Sequence, residues 1–127
     1  MSTENAILLF AHGARDPLWA QPLLRLQEQL ARLRPGVPVR IAYLEMQEPG
    51  LGEALSALLG SGVRKIDLVP IFWSRGGHVS NDLPPLVAAF CKDHPEVAVR
   101  VLPALSDLPG MSEFIARTIV ELADQGR

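Results

Sequence analysis

A chain of 127 residues suffices for one domain with a substantial core, so residues 1–127 are expected to fold as a unit without disulfides or a structural metal. Apolar residues make up 48% and charged residues 20%, a balance that excludes a disordered or fibrous chain. A net charge of -2 excludes the basic excess of a nucleic-acid binder, and the lone Cys91 excludes an internal disulfide and any cysteine-built metal cluster. The polar start Met1-Ser2-Thr3-Glu4-Asn5 has no signal-peptide character, and the apolar runs are far shorter than the roughly 20 residues of a membrane helix. No membrane association and a reducing cytoplasm are the expectation.

Ala6 to Ala11 is a continuous apolar run ending at His12-Gly13, which predicts a strand buried on both faces. From Trp19 to Leu33 the positions Leu23, Leu26, Leu30 and Leu33 recur at helical spacing, and Pro35-Gly36 stops that helix. Val39 to Leu44 reads as a second strand. Glu48-Pro49 then leads into a helix carrying Leu51, Leu55, Leu58 and Leu59, ended by Gly60 and Gly62. Lys65 to Phe72 is the third strand, although Pro70 is unusual for a central one. Asn81 or Asp82 is expected to cap a third helix with Pro84 and Pro85 in its first turn, running to about Lys92. Val97 to Leu102 supplies a fourth strand. Met111 to Ala123, with Phe114, Ile115, Ile119 and Leu122 on one side, supplies a closing helix.

Strict strand–helix alternation with short connections predicts an α/β fold, a small doubly wound four-stranded parallel sheet with helices on both faces. The expected strand order is 2-1-3-4, which places strands one and three side by side with their helices on opposite faces. Ligands bind outside the carboxyl ends of such strands, where the winding reverses. The loop after strand one reads His12-Gly13-Ala14-Arg15-Asp16-Pro17, and the loop after strand three reads Trp73-Ser74-Arg75-Gly76-Gly77-His78-Val79.

Two of the chain's three histidines thus fall at the expected crevice. A neutral imidazole binds first-row divalent metals, and the same nitrogen accepts a proton near neutral pH. His12 and His78 are therefore the candidate metal ligands and proton acceptors. The plainer alternatives are a strand-end ring held by a backbone carbonyl for His12 and a helix-start role beside Asp82 for His78. His94, in a polar turn, is read as solvated. Gly76-Gly77 is suited to holding an anion on exposed amides, though the loop lacks the Lys-Ser/Thr of a Walker motif. Arg15 and Arg75 are candidate carboxylate or phosphate clamps, since guanidinium binds such groups through paired hydrogen bonds. Glu45, after strand two, can reach the rim; Glu48 is its weaker substitute. Cys91 is read as a core thiol. Trp19, Phe72 and Tyr43 are read as core or cleft wall, and Trp73 as a possible face for a flat ligand.

These residues resemble the short CbiX-type sirohydrochlorin chelatases, relatives of the sirohydrochlorin ferrochelatases and of the nickel chelatase acting on the same substrate. The resemblance spans the chain. It is carried by His12-Gly13-Ala14-Arg15-Asp16, by Ala42-Tyr43-Leu44-Glu45 with Glu48-Pro49, and above all by Pro70-Ile71-Phe72 leading to Gly77-His78-Val79 and Asp82-Leu83-Pro84. It implies a chelatase-like, flavodoxin-like domain that inserts a divalent metal, Co2+, Ni2+ or Fe2+, into sirohydrochlorin without ATP and without a permanently bound cofactor. It further implies His12 as proton acceptor and metal ligand, and His78 as second metal ligand. Glu45 would contact substrate, and Trp73, Ser74, Arg75, Gly76, Gly77 and His78 would form the substrate-binding loop. Longer members use two copies of the domain around one cleft, so a homodimer is implied here. Two rivals share the fold: a flavodoxin-like phosphate-binding or anion-binding module, and a noncatalytic metal carrier using the same histidines.

Overall fold

The strands β1 (Asn5–Ala11), β2 (Val39–Tyr43), β3 (Lys65–Pro70) and β4 (Ala98–Val101) pair in parallel in the order β2-β1-β3-β4, as the alternation of apolar runs required. The computed structural model describes residues 4–74 and 78–126, and for residues 78–81 the backbone alone. The helices are α1 (Gln21–Leu33), α2 (Leu51–Gly60), α3 (His78–Asp93) and α4 (Met111–Gln125). Among the described residues no helix is long and apolar enough to cross a membrane.

Side chains alternate across each strand, so β1 feeds two cores. Leu8 and Phe10 join Ile66, Leu68, Ala42 and Val97 under Leu55 and Leu58 of α2 and Leu83 and Val87 of α3. Leu9 and Ala11 face the other way, onto Leu23 of α1, with Val39 and Tyr43. The helices after β1 and β3 therefore lie on opposite faces. That is the geometry of a switch point, and it follows from the handedness of parallel crossovers.

β2 ends at Tyr43 and β4 is trimmed to Ala98–Val101, and three further boundaries differ from the sequence reading for a local reason. A short 3-10 turn, Pro17–Ala20, precedes α1, because Asp16 caps it by accepting a hydrogen bond from the Leu18 N–H at 3.0 Å. β3 stops at Pro70 rather than Phe72. The missing amide of Pro70 faces β4, whose pairing with β3 already ends at Leu68 and Val101, while Ile71 on the other side still donates to the Phe10 carbonyl at 2.8 Å. The proline thus costs the ladder little.

α3 begins at His78, so Asn81 and Asp82 lie inside it rather than capping it, and Pro84 and Pro85 are interior. Each proline withdraws the donor for the carbonyl four residues back, which here means Ser80 and Asn81 in the first turn. The buried Leu83 and Val87 hold the helix on the sheet across that gap.

α4 forms as expected but closes on little. It buries no residue and packs mainly against the 3-10 turn Leu105–Asp107. Phe114, Ile119 and Leu122 remain 62%, 58% and 61% exposed.

Candidate functional site

The carboxyl ends of the strands are tied together by backbone hydrogen bonds. Beyond β2, Leu44 N–H donates to the Ala11 carbonyl at 2.8 Å and Glu45 N–H donates to the His12 carbonyl at 3.1 Å. The exit of β1 thus runs alongside the exit of β2. Gly13 follows with φ +91°, a conformation that L side chains rarely adopt, and a Cβ there would run into the Glu45 carbonyl oxygen. The approach of the two segments therefore requires glycine. Gln47 completes the tie by accepting a hydrogen bond from Ala14 N–H at 3.0 Å through its side-chain oxygen. Met46 turns the segment at φ +67°, a non-glycine residue in the left-handed region. The chain then returns, with Tyr43 N–H donating to the Pro49 carbonyl at 2.9 Å.

β3 leaves the sheet beside β1. The Phe72 ring lies edge-on to the His12 imidazole, centroids 5.1 Å apart and planes at 73°, and is itself edge-on to Phe10 at 5.9 Å. His12 is exposed, yet its ring leans on an aromatic pair rooted in the core between the sheet and helices α2 and α3. The turn after β4 fixes the same exit, since Leu105 N–H donates to the Phe72 carbonyl at 3.0 Å and Ser106 N–H to the Trp73 carbonyl at 2.8 Å.

The crevice at the sheet end thus gathers His12, Glu45 and Trp73 around the exits of β1, β2 and β3, with Ser74 following Trp73. Arg15 lies three positions beyond His12 and is exposed, as is Glu45. Glu45 rather than Glu48 borders the β1 exit, because its amide binds the His12 carbonyl. Arg75, Gly76 and Gly77 lie outside the described residues. His78 opens α3 by its backbone, and its side chain lies outside the described part. Among the described residues no group of three or more His, Cys, Asp or Glu side chains forms a metal cage.

The rim around His12 is apolar where it is not charged, with Leu44, Met46 and Trp73 at 40%, 58% and 58% exposure. Beside it, a cavity of about 220 Å³ between α2 and α3 is lined by Phe10, Leu44, Leu55, Leu86 and Phe90 among others. Tyr43 is buried at the end of β2, and its burial pushes the phenol pKa upward. An exposed imidazole within an apolar rim can receive the apolar face of a flat ring while offering a nitrogen lone pair. His94, by contrast, is half-buried against Phe90, with ring centroids 4.5 Å apart.

Three participants escape a reading of the sequence. Phe72 reads there as core or cleft wall, and nothing in the sequence shows that its ring supports His12. Gln47 carries no signal, because its acceptor role depends on the turn at Met46. Gly13 shows in the sequence as a glycine after a strand, but the steric demand comes from the Glu45 carbonyl.

Fold and crevice define a doubly wound α/β domain with a ligand site at the strand switch point. A family model described as CbiX matches residues 6–122. The chain belongs to the CbiX family. It is 34% identical over 88 residues to the sirohydrochlorin cobaltochelatase of Methanosarcina barkeri, covering 69% of this chain and 68% of that one. Its structure superposes on that of a cobalamin (vitamin B12) biosynthesis CbiX protein from Marinobacter aquaeolei with TM-score 0.80 and 26% identity, covering 95% of this chain and 98% of the other. It also superposes on the sirohydrochlorin chelatase SirB from Bacillus subtilis subspecies spizizenii in complex with cobalt, with TM-score 0.62 and 26% identity. That match covers 77% of this chain but 42% of the SirB chain, so the protein spans less than half the length of SirB.

Proposed function

We propose that this protein is a sirohydrochlorin metal chelatase, a lyase that inserts a divalent metal into the macrocycle without ATP, with residues 1–127 acting as one domain. The observation that carries the reading is His12, presented at the strand switch point on an aromatic support inside an apolar rim. The names of the CbiX relatives supply the substrate, and those names together with the cobalt-bound SirB favour cobalt as the metal. Nickel and iron satisfy the same imidazole donors.

The reaction exchanges two pyrrole N–H protons for one metal dication. A flat macrocycle hides its nitrogen lone pairs from an approaching cation, so a cleft that bends the ring lowers the barrier. In this reading His12 and His78 bind the incoming metal, and each imidazole, once displaced from it, takes up one of the two pyrrole protons. The macrocycle nitrogens replace the imidazoles as the metal enters. Trp73, with Ser74, Arg75, Gly76, Gly77 and His78, forms the substrate-binding loop. Glu45 contacts substrate, and Arg15 and Arg75 clamp the peripheral carboxylates. The metal is a substrate, and no permanently bound cofactor takes part.

The length relation to SirB supports a homodimer in which two copies supply what the longer chain carries in one. The single cysteine and the absence of a spanning helix among the described residues are in keeping with a cytoplasmic enzyme. The test is anaerobic incubation of the protein with sirohydrochlorin and Co2+, Ni2+ or Fe2+ in parallel, followed by visible absorbance. Insertion faster than the protein-free rate with at least one metal is expected. Protein-free rates with all three would overturn the assignment.

A further inference from the structure

The sheet face that carries α1 is half bare. Lys65, Asp67 and Arg100 line a groove of about 390 Å³ there, alongside Asn5 and Ala98. Their register places them on one face, the face onto which Val69 and Ile71 also point. α1 covers the β1 and β2 side of this face, and among the described residues no helix fills the groove over β3 and β4.

The same chain carries an unused helix of the right kind. α4 presents Phe114, Ile119 and Leu122 to solvent, and a 15-residue helix is marginal in water without an apolar face packed on something. Its start is tied to the turn after β4, and no α4 residue lines the groove. Gly110 takes φ +82°, Met111 N–H donates to the Leu108 carbonyl at 3.0 Å, and the first turns rest on Leu105–Asp107. A bare groove and a bare helix that do not meet within one chain satisfy each other reciprocally across a twofold axis, which gives a closed pair.

Charge agrees with this pairing. The groove has Lys65 beside an Arg100–Asp67 ion pair at 2.9 Å, which leaves it one positive charge, whereas α4 has Glu113, Glu121 and Asp124 against the single Arg117. A 15-residue helix is about 22 Å long and about 10 Å wide. Two such contacts, counted on both surfaces and with side-chain relief, reach roughly the 1,200 Å² at which specific interfaces begin.

We propose that α4 of each copy docks in the β3–β4 groove of a second copy, and that this reciprocal contact holds the dimer together. The proposal rests on the homodimer inferred above and names its surface; it does not depend on the metal or the macrocycle.

The experiment is light scattering and sedimentation equilibrium of the full chain from micromolar to hundred-micromolar concentration. The wild type should be dimeric. The I119E/L122E variant, with an unchanged circular dichroism spectrum, should have its dimer Kd raised more than about 100-fold by the burial of unpaired charge. The K65E/R100E and E121K/D124K variants should each dissociate alone and form a heterodimer when mixed, since each helix then meets a groove of opposite sign. A dimer that survives I119E/L122E, or a failure of the mixed pair to associate, would overturn this surface and leave the homodimer standing. A monomeric wild type would overturn both, while the insertion assay would still decide the chemistry.

Discussion

Among the described residues one face of the sheet is sealed by α2 and α3 over Leu8, Phe10, Ile66 and Leu68; the other is covered by α1 over β1 and β2 only, and α4 packs on the Leu105–Asp107 turn instead of on its open half. The sealed face holds the fold, and it also steadies the site, because Phe10 and Phe72 carry the aromatic contact on which His12 rests. The open half of the other face, over β3 and β4, contributes little to the stability of a lone chain, whereas Leu9, Ala11 and Leu23 under α1 form a second core. In the proposed dimer, rigidity for chemistry and surface for assembly would thus lie on opposite sides of one sheet.

The contrast is broken most directly by matched truncations. Leu55→Ala, at 1% exposure on the sealed side, should cost about 2–5 kcal/mol in denaturant unfolding. Leu122→Ala on α4 should change dilute-protein stability by less than about 0.5 kcal/mol, with a larger loss only at concentrations where copies associate. Equal losses in dilute protein would contradict the division of labour.

Gly13→Ala tests the seam between the β1 and β2 exits. A side chain at φ +91° against the Glu45 carbonyl should cost about 1–3 kcal/mol and move His12, read as a lower unfolding midpoint together with weaker cobalt binding. Unchanged stability would show that the two exits part easily. Phe72→Leu sharpens the link between core and site. It should cost about 1 kcal/mol of stability while slowing insertion by a larger factor, because the imidazole loses its edge-on support. Proportionate losses would reduce Phe72 to an ordinary core residue.

The smallest effect concerns Tyr43. Burial raises its phenol pKa above the ordinary value near 10, so the folded state holds the proton longer than the unfolded chain does. Stability from this source is complete below about pH 10 and declines as pH rises beyond it. Tyr43→Phe should flatten that alkaline decline in a melting series, and an unchanged slope would remove Tyr43 as its cause.

Much of the architecture was legible because it follows from periodicity. The continuous run Ala6 to Ala11 demanded burial on two faces, and alternation with short loops led to the parallel order that the sheet adopts. Boundaries set by single hydrogen bonds were not legible. Pro84-Pro85 read as a helix start, whereas Leu83 and Val87 anchor a helix that begins at His78. The same periodicity that found α4 said nothing of what it packs against, since an apolar stripe looks alike whether its partner is its own sheet or another copy's. At the site, the nearness of the β1 and β3 exits, where Phe72 meets His12, follows from strand order. The supports contributed by Gln47 and Phe72 arise from distances that no spacing rule encodes.

The central claim is that His12 takes part in the chemistry of insertion rather than merely ending a strand. The most direct measurement is the anaerobic rate of cobalt insertion into sirohydrochlorin by His12→Ala, compared with the wild type at equal folded concentration. A loss of about 100-fold or more is expected from removing a proton acceptor that is also a metal ligand. A rate unchanged from the wild type would contradict it.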